Sequence, residues 1–378
     1  MPLNIYVTIK ATLRCNLACR YCYGRDNHAA GAEMTTEEAM RGIDFATEYA
    51  KVAGARSITF CWHGGEPLLM ADQLPSLIDH ANAACSAQGI KAVHGTQTNA
   101  TLLTPSTYGL IRKYFGGFVG VSLDLYSPYR TYPDGRTSTN TAIDNLDRAL
   151  AAGLQCGAIN LITKDNLNHI ADIYDFYKQR KMNVRLARVF PISVADAMQS
   201  PMYVSDEEFA TALIEYFNLW AADPQPACNT DIVKLVADLL LGSPSICLRE
   251  AECHKRYLAL SPGGDIFSCA EFDTPDTVIG NFLTQSPQEF AQSDARERLA
   301  ARAPVPAQCR QCRYLPTCNG SCLRERYVLG YPYRCRSNRL YWDHVTAWLQ
   351  EYGCSLYMLL GKSPAEKRET IDRIFKKR

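Results

Sequence analysis

The feature that most restricts the fold of this chain is a regular alternation of apolar, β-branched runs with segments of helical periodicity. Short apolar runs are typical of buried strands, and apolar residues repeating every three to four positions are typical of amphipathic helices. Six strands are predicted, at residues 5–9, 57–62, 90–93, 118–123, 156–163 and 184–190. Five helices are predicted between them, at residues 35–52, 72–88, 105–114, 139–152 and 167–179. This alternation predicts an α/β fold with a parallel sheet, built as an open, partial (β/α)6 barrel.

The alternation ends after residue 191, and two further helices are predicted at residues 206–221 and 231–241. From residue 245 onward the chain becomes rich in cysteine and short loops. A chain of 378 residues exceeds the usual length of one simple domain. We therefore expect a partial-barrel domain with connecting helices at 1–244, a cysteine-rich domain at 245–345 and a helical tail at 346–378.

Charge and hydropathy exclude several classes of partner. Lys and Arg total 40 against 39 Asp and Glu, which gives no net field that would attract nucleic acid. The amino terminus lacks the features of a secretion signal, and no segment approaches the roughly 18 apolar residues of a membrane span. We expect a cytoplasmic protein with neither a nucleic-acid partner nor a membrane partner.

Sixteen cysteines in a chain without a secretion signal indicate metal binding, because cytosolic reductants prevent most disulfides from persisting. Cys15, Cys19 and Cys22 form a CxxxCxxC motif directly after the first predicted strand, and Tyr23 follows them. Iron-sulfur clusters normally take four cysteine ligands, so three closely spaced cysteines leave one iron open to another ligand. A zinc site is the alternative for such a motif.

A glycine-rich motif follows the second predicted strand, where His63 precedes Gly64, Gly65, Glu66 and Pro67. Parallel sheets bind ligands at the carboxyl ends of their strands, so we expect this motif on the same edge as the cysteine loop. The two glycines allow a backbone to approach a ligand closely, and the Glu66 carboxylate can accept hydrogen bonds from an ammonium group.

Eight cysteines form a second constellation in the carboxyl-terminal third. They lie at Cys247, Cys253, Cys269, Cys309, Cys312, Cys318, Cys322 and Cys335, and Gly264 lies between the second and third of them. A pair of zinc ribbons is the alternative, since Cys-x2-Cys is a common zinc spacing. Five isolated cysteines are expected to pack as small apolar residues: Cys61, Cys85, Cys156, Cys228 and Cys354.

These motifs resemble the radical S-adenosylmethionine (SAM) superfamily with a SPASM domain, and within it the anaerobic sulfatase-maturing enzymes and the radical SAM peptide maturases. The stretches TQTNAT at 96–101 and VSLD at 121–124 extend the resemblance, although Ala100 and Leu125 replace glycines usual in the family. The resemblance implies that Cys15, Cys19 and Cys22 bind a 4Fe-4S cluster whose open iron binds SAM. The implied SAM contacts are Tyr23, Gly64, Gly65, Glu66, Pro67, Gln97, Asn99, Ser122 and Asp124.

The resemblance also implies two auxiliary 4Fe-4S clusters in the SPASM domain. The ligands of the first would be Cys247, Cys253, Cys269 and Cys322, and those of the second Cys309, Cys312, Cys318 and Cys335. A cluster with four cysteine ligands has no open iron. Both clusters are therefore suited to electron transfer and to bracing the domain.

The function implied by the resemblance is an oxidoreductase that cleaves SAM to a 5'-deoxyadenosyl radical and oxidises a residue in a peptide or protein. Sulfatase-maturing enzymes carry an aspartate directly after the cysteine that is here Cys269, and it is thought to be the base in formylglycine formation. Ala270 stands at that position, which leaves Glu271 and Asp273 as the candidate bases.

The departure at Ala270 favours maturation of a ribosomally made peptide, by a crosslink or thioether, over formylglycine formation on Ser or Cys. A small-molecule enzyme of a cofactor or haem pathway is a third alternative, which a closed pocket with several anchoring arginines would support. The implied partners are a peptide or protein substrate and an electron donor such as flavodoxin or ferredoxin. The short segment before the first strand indicates no fused leader-peptide domain, so recognition is expected to be direct or through a separate protein.

Overall fold

A computed structural model describes residues 3–24, 31–191, 202–227, 229–242, 247–250, 252–351 and 369. The chain divides into two compact units, of which the first combines Met1–Ile159 with Glu252–Arg302 and the second combines Asn160–Ala251 with Ala303–Arg378. The domain boundaries expected from the sequence stay predictions. The 244/245 boundary, Cys228, Cys354 and most of the expected tail lie outside the described residues.

Nine strands are present in the described residues: β1 (Asn4–Thr12), β2 (Ser57–Gly64), β3 (Lys91–Thr98), β4 (Phe118–Ser122), β5 (Gln155–Ile162), β6 (Asn183–Arg188), β7 (Tyr257–Leu260), β8 (Asp265–Phe267) and β9 (Gly280–Asn281). In the first unit the strand order is β5-β4-β3-β2-β1-β7-β8-β9. The pairs from β5 to β7 are parallel, whereas β8 pairs antiparallel with both β7 and β9. The sheet is open, which confirms the expected α/β class.

Thirteen helices are present in the same residues: α1 (Thr36–Val52), α2 (Leu74–Ala87), α3 (Pro105–Tyr114), α4 (Thr139–Ala151), α5 (Ile170–Gln179), α6 (Asp206–Ala222), α7 (Thr230–Leu241), α8 (Cys253–Arg256), α9 (Pro287–Gln292), α10 (Ala295–Ala301), α11 (Leu315–Cys318), α12 (Leu323–Leu329) and α13 (Cys335–Glu351). Helix α1 begins where the sequence indicates, because the Thr35 side chain accepts a hydrogen bond from the Glu38 amide at 3.1 Å. None of these described helices combines the length and the apolar character that a membrane crossing requires.

Each strand and helix predicted up to residue 241 has an observed counterpart, and the largest error in position falls on β3. The sequence predicts this strand at 90–93, but it continues to Thr98. His94, Gly95 and Gln97 interrupt the apolar pattern on which the prediction depends. The carboxyl half of β3 therefore lies in the sheet although its side chains are not typical of a core.

The core of the first unit is apolar along the middle of its sheet and becomes polar at the carboxyl ends of the strands. Val7 of β1 lies between Phe60 of β2 and Leu258 of β7, and all three side chains are buried. Beyond this layer, buried polar side chains collect on and after the strand ends: Lys10, Thr12, Glu66, Thr96, Thr98, Asn99, Asp124 and Arg130. Buried polar groups require hydrogen-bond or charge partners, so we expect the active site at this edge of the sheet.

Three of the isolated cysteines are described. Cys85 of α2 and Cys156 of β5 are buried, and Cys61 of β2 is partly buried. Burial raises the pKa of Cys61 to about 11, which keeps this thiol protonated at neutral pH. These positions agree with the expected packing role.

Candidate active site

The loop after β1 brings together the three cysteines of the CxxxCxxC motif. The thiols of Cys15, Cys19 and Cys22 are close enough for the charge of each to raise the pKa of another. Burial is the largest cause and raises the pKa of Cys15 and Cys19 to about 11 each. Iron binding replaces these protons, so cluster assembly there releases protons. Three grouped, partly buried thiols fit a cluster with one iron left open to another ligand.

The two glycines of the second motif pack against the backbone of this cysteine loop. The Gly65 amide donates to the Thr12 carbonyl at 2.9 Å, and the Glu66 amide donates to the Arg14 carbonyl at 2.9 Å. A Cβ atom on Gly65 would lie 1.9 Å from the Arg14 carbonyl oxygen, and one on Gly64 would lie 2.2 Å from that of Thr12. The backbone of Gly64 and Gly65 thus approaches the cysteine loop closely. That it also approaches a bound cofactor stays a prediction.

Glu66 connects this motif to the loop after β3. Its carboxylate is 1% exposed, and its Oε1 accepts hydrogen bonds from the Leu68 amide at 3.0 Å and the Thr98 hydroxyl at 2.7 Å. Its Oε2 accepts one from the Asn99 amide at 2.7 Å. A carboxylate oxygen has two lone pairs, so Oε2 retains an acceptor position for a bound ammonium group. Burial raises the pKa of Glu66, and these three hydrogen bonds oppose that effect.

We expect Glu66→Gln to weaken SAM binding about 10- to 100-fold while iron content stays unchanged. The substitution keeps the shape of the side chain but removes a charge-assisted hydrogen bond worth roughly 1.5 to 3 kcal/mol. Equilibrium dialysis of reconstituted protein against SAM measures the effect. Thr98→Val is the matched control, because it removes one hydrogen bond to Glu66 and keeps the charge. Unchanged SAM affinity in Glu66→Gln would restrict the residue to connecting the two loops.

Asn99, another expected SAM contact, also lies against the cysteine loop. Its Nδ2 donates to Asn16 Oδ1 at 2.8 Å and lies 3.9 Å from the Cys15 sulfur. Its Oδ1 accepts from the Thr101 amide at 2.9 Å. Ala100, between them, adopts the left-handed backbone at φ 65°, so it keeps the geometry that a glycine adopts more easily.

The end of β4 and the loop after it place their predicted contacts in two different settings. Ser122 accepts a hydrogen bond from Gln97 Nε2 at 3.1 Å, so these two expected contacts touch one another. Asp124 is 1% exposed and accepts a hydrogen bond from the Tyr21 hydroxyl, while Arg130 Nη1 lies 3.6 Å from its Oδ2. Leu125 stands at the second replaced glycine. There the left-handed conformation is adopted by the following residue, Tyr126, at φ 57°.

The two candidate bases lie near the aromatic side chain that follows the cysteine loop. Asp273 has a 9% exposed side chain and pairs with Lys10, whose Nζ lies 2.5 Å from Asp273 Oδ2 and 5.5 Å from the centre of the Tyr23 ring. Burial raises the pKa of Tyr23 far above its usual range, and the negative charges of Glu271, Asp273 and Cys269 add to this effect. Glu271 is exposed. The geometry thus favours Asp273 as a shielded carboxylate.

Lys10 was not predicted from the sequence. The available signal was that Lys10 is the only charged residue of β1, because a charged side chain in that position must either reach water or find a buried acid. Its partner is 263 positions away in the chain, and no spacing rule connects the two.

The second auxiliary cluster has a suitable site within the second unit. Its four expected ligands line one cavity of about 110 Å³: Cys309, Cys312, Cys318 and Cys335. Burial raises the pKa of Cys318 to about 11, and the charges of the neighbouring cysteines add to this effect. Four thiols around one enclosed space fit a cluster with complete cysteine ligation.

Buried charges brace the loops that carry these ligands. Glu325 is fully buried and pairs with Arg334, the residue before Cys335. Arg326 donates to the carbonyl oxygens of Gly320 and Ala303 at 2.9 Å each. These three charged residues were not predicted from the sequence, because charged residues usually lie on the surface.

The expected ligands of the first auxiliary cluster divide between the two units. Cys253 and Cys269 belong to the first, and Cys247 and Cys322 belong to the second. This ligand set stays a prediction. Across the part of the chain that the structure describes, no three His, Cys, Asp or Glu side chains are grouped around a site for a single ion. A cubane has a different requirement, since it distributes its cysteines over four irons.

A separate cavity of about 130 Å³ in the second unit is lined by four arginines and by apolar side chains of β6, α6, α7 and α13. Each arginine pairs with a carboxylate: Arg185 with Asp231, Arg188 with Asp206, Arg249 with Asp238 and Arg334 with Glu325. These ion pairs balance the positive charges of the cavity.

Two family descriptions match the chain. Residues 9–177 match the radical SAM superfamily, and residues 247–313 match SPASM, described as an iron-sulfur cluster-binding domain. These matches confirm the resemblance indicated by the motifs. They also confirm SAM, a 4Fe-4S cluster and auxiliary iron-sulfur clusters as the cofactors.

Several curated relatives are similar along most of their length. The chain is 25% identical to the serine-type anaerobic sulfatase-maturating enzyme of Bacteroides thetaiotaomicron, over 91% of this chain and 90% of that protein. It is 23% identical to the serine-type enzyme of Klebsiella aerogenes, over 90% and 85%. It is 22% identical to the cysteine-type enzyme of Clostridium novyi, over 84% and 87%.

Two solved structures share the fold. "Native anSMEcpe with bound AdoMet and Cp18Cys peptide" matches with a TM-score of 0.79 at 17% identity, over 93% of this chain and 99% of that chain. Streptococcus suis SuiB bound to precursor peptide SuiA matches with a TM-score of 0.60 at 17% identity, over 89% and 75%. These likenesses confirm the expected fold of a partial barrel with a SPASM domain.

Proposed function

Because the chain is a radical SAM enzyme with a SPASM domain, we propose that it oxidises a Ser or Cys side chain of a protein or peptide to formylglycine. The observation that carries this proposal is the shielded Asp273 carboxylate, held by Lys10 beside Tyr23. It offers the proton acceptor that Ala270 cannot supply. The similarity to serine-type and cysteine-type sulfatase-maturating enzymes over most of the chain supports the same choice.

The proposed roles follow the geometry of the first unit. Cys15, Cys19 and Cys22 would hold the cluster to which SAM binds, and bound SAM supplies the carbon radical that removes a hydrogen atom. The Oε2 of Glu66 would accept a hydrogen bond from the ammonium group of SAM. Asn99 orients the cysteine loop through its contacts beside Cys15.

The oxidation balances when the substrate loses two hydrogens. One leaves the β-carbon as a hydrogen atom, taken by the radical derived from SAM. The other leaves the hydroxyl or thiol as a proton, which Asp273 accepts, and one electron leaves the carbon radical. The auxiliary clusters would take this electron. From Ser the product is the aldehyde itself, whereas from Cys it is a thioaldehyde, which water hydrolyses to the aldehyde with release of hydrogen sulfide. An external donor such as flavodoxin or ferredoxin would supply the electron that SAM cleavage requires, in the cytoplasm.

Peptide crosslinking is the second candidate, and Ala270 favours it, because this residue departs from the sulfatase-maturing pattern at the position of the base. A crosslink also removes two hydrogens but leaves no aldehyde. Its substrate would be a ribosomally made peptide, recognised directly or through a separate leader-binding protein. The third alternative, a small-molecule substrate, called for a closed pocket with anchoring arginines. The four arginines of the second unit already pair with acids, so their cavity does not favour it.

Tandem mass spectrometry distinguishes the two peptide reactions. Reconstituted protein is incubated with SAM, a reductant and either a sulfatase-motif peptide or a short peptide encoded beside this gene. We expect the sulfatase-motif peptide to lose two hydrogens if Ser reacts, and to form a hydrazone when a hydrazide is added. A loss of two hydrogens without hydrazone, confined to the neighbouring peptide, would replace formylglycine formation with crosslinking.

A further inference from the structure

Arg130 is a buried cation that the sequence motifs do not explain. Its side chain is only 4% exposed. Its Nη1 lies 3.6 Å from Asp124 and 3.4 Å from the Tyr21 hydroxyl, and its Nη2 donates to the Asn99 carbonyl at 3.4 Å. The Nε has no hydrogen-bond partner among the described residues. A guanidinium stays charged at every relevant pH, so a full positive charge is fixed in this position.

The position of Arg130 is next to the cysteine loop. Tyr21 lies between Cys19 and Cys22 in the chain, and Asn99, whose carbonyl Arg130 contacts, lies against the Cys15 sulfur. The neighbours of Arg130 are hydrogen-bonded to the neighbours of Cys19, since the Ala18 amide donates to the Thr131 carbonyl at 2.7 Å and the Arg20 amide donates to the Tyr129 carbonyl at 3.0 Å. The guanidinium and the carboxylate therefore exert opposite fields at the cysteine loop.

We propose that Arg130 is the counter-ion of the cluster held by Cys15, Cys19 and Cys22, and that its pairing with Asp124 sets the reduction potential of that cluster. The inference rests on the proposed ligation by these cysteines. Reduction adds one negative charge to a buried group. A fixed positive charge close by stabilises the reduced form, and a fixed negative charge destabilises it.

Opposite effects follow for the two partners of the pair. Arg130→Met removes the positive charge and leaves Asp124 to act alone, so the reduction potential falls. Asp124→Asn removes the negative charge and retains the guanidinium, so the potential rises. Arg130→Lys keeps the charge without the planar fork, so its potential stays near that of the unchanged protein. A merely structural pair would not move the potential in two directions.

Redox titration of the reconstituted full chain, followed by electron paramagnetic resonance, measures these shifts. The Cys15→Ala, Cys19→Ala, Cys22→Ala variant identifies the signal of this cluster, because the signal is absent there. We expect Arg130→Met and Asp124→Asn each to change the reduced-to-oxidised ratio at a fixed potential at least tenfold, in opposite directions. For a one-electron couple, tenfold corresponds to 59 mV.

Shifts of the same sign, or no shift in either variant, would overturn the inference. If Arg130→Met loses the cluster, Asp124→Asn decides alone, and an unchanged or lowered potential there refutes the proposal. A signal that persists in the triple cysteine variant would instead refute the ligation on which the inference rests. Failure of the counter-ion proposal and failure of the proposed cluster ligation therefore give different results.

Discussion

A chain in which Cys15, Cys19 and Cys22 are all replaced by alanine is expected to cleave no SAM and to retain about two-thirds of its iron. Three cubanes hold about 12 irons, and the substitutions remove the ligands of one cubane only. SAM cleavage needs an electron from a cluster with an open iron, and the proposed ligand sets would leave no open iron in either auxiliary cluster. Iron and sulfide analysis measures the first effect, and chromatography of 5'-deoxyadenosine measures the second.

The matched control for this prediction is Cys85→Ala. Cys85 is buried in α2, and its sulfur contacts the Thr47 hydroxyl at 3.7 Å. Its replacement is expected to leave iron content and SAM cleavage unchanged. Residual SAM cleavage in the triple variant would contradict the assignment of the open cluster. Stoichiometric zinc without sulfide in the unchanged chain would contradict iron-sulfur chemistry altogether.

The sequence predicted the strand and helix order because burial and periodicity are local properties. Helix α3 was predicted at its observed bounds, since Pro105 starts it and the apolar pattern ends at Tyr114. The predicted β3 ended too early, because the carboxyl half of this strand carries polar side chains that belong to the candidate site. Hydrophobic periodicity identifies strand residues that pack in the core. It does not identify strand residues whose polar side chains belong to an active site.

The ligands of the candidate site that are close in sequence could be predicted. The buried charged residues that support the site could not. The three cysteines of the first loop are expected from spacing alone. Lys10 and Asp273 are brought together only by the packing of β1 beside the strands that follow residue 252, which no local pattern encodes. Arg130 was missed for a similar reason, because its partners Tyr21 and Asp124 come from two different loops.

The two replaced glycines show how a motif can keep its geometry with different residues. Ala100 takes the left-handed conformation itself, at a cost of about 1 kcal/mol, and Asn145 Nδ2 donates to its carbonyl at 3.0 Å. At Leu125 the unusual conformation falls on Tyr126 instead. From sequence alone these two outcomes could not be distinguished, because both depend on contacts made by distant residues.

Asp273→Asn is expected to lower formation of the oxidised product about 100- to 10,000-fold while 5'-deoxyadenosine is still formed. Hydrogen-atom abstraction requires no base, but completion of the oxidation requires a proton acceptor, and a positioned base contributes about this factor. Asparagine has nearly the shape of aspartate but no basic carboxylate. The ratio of 5'-deoxyadenosine to product, measured by mass spectrometry in one reaction, therefore rises.

Glu271→Gln is the matched control, because Glu271 is near Tyr23 as Asp273 is but is exposed. It is expected to keep the ratio of 5'-deoxyadenosine to product within a few-fold of that of the unchanged chain. A large rise in this ratio in Glu271→Gln, with Asp273→Asn unaffected, would transfer the role of base to the exposed carboxylate. Equal iron content in both variants is required for the comparison, since Asp273→Asn leaves the Lys10 ammonium buried without its partner acid. If neither variant changes the ratio, the proton leaves by another route, and the carboxylate at Asp273 serves only to hold Lys10.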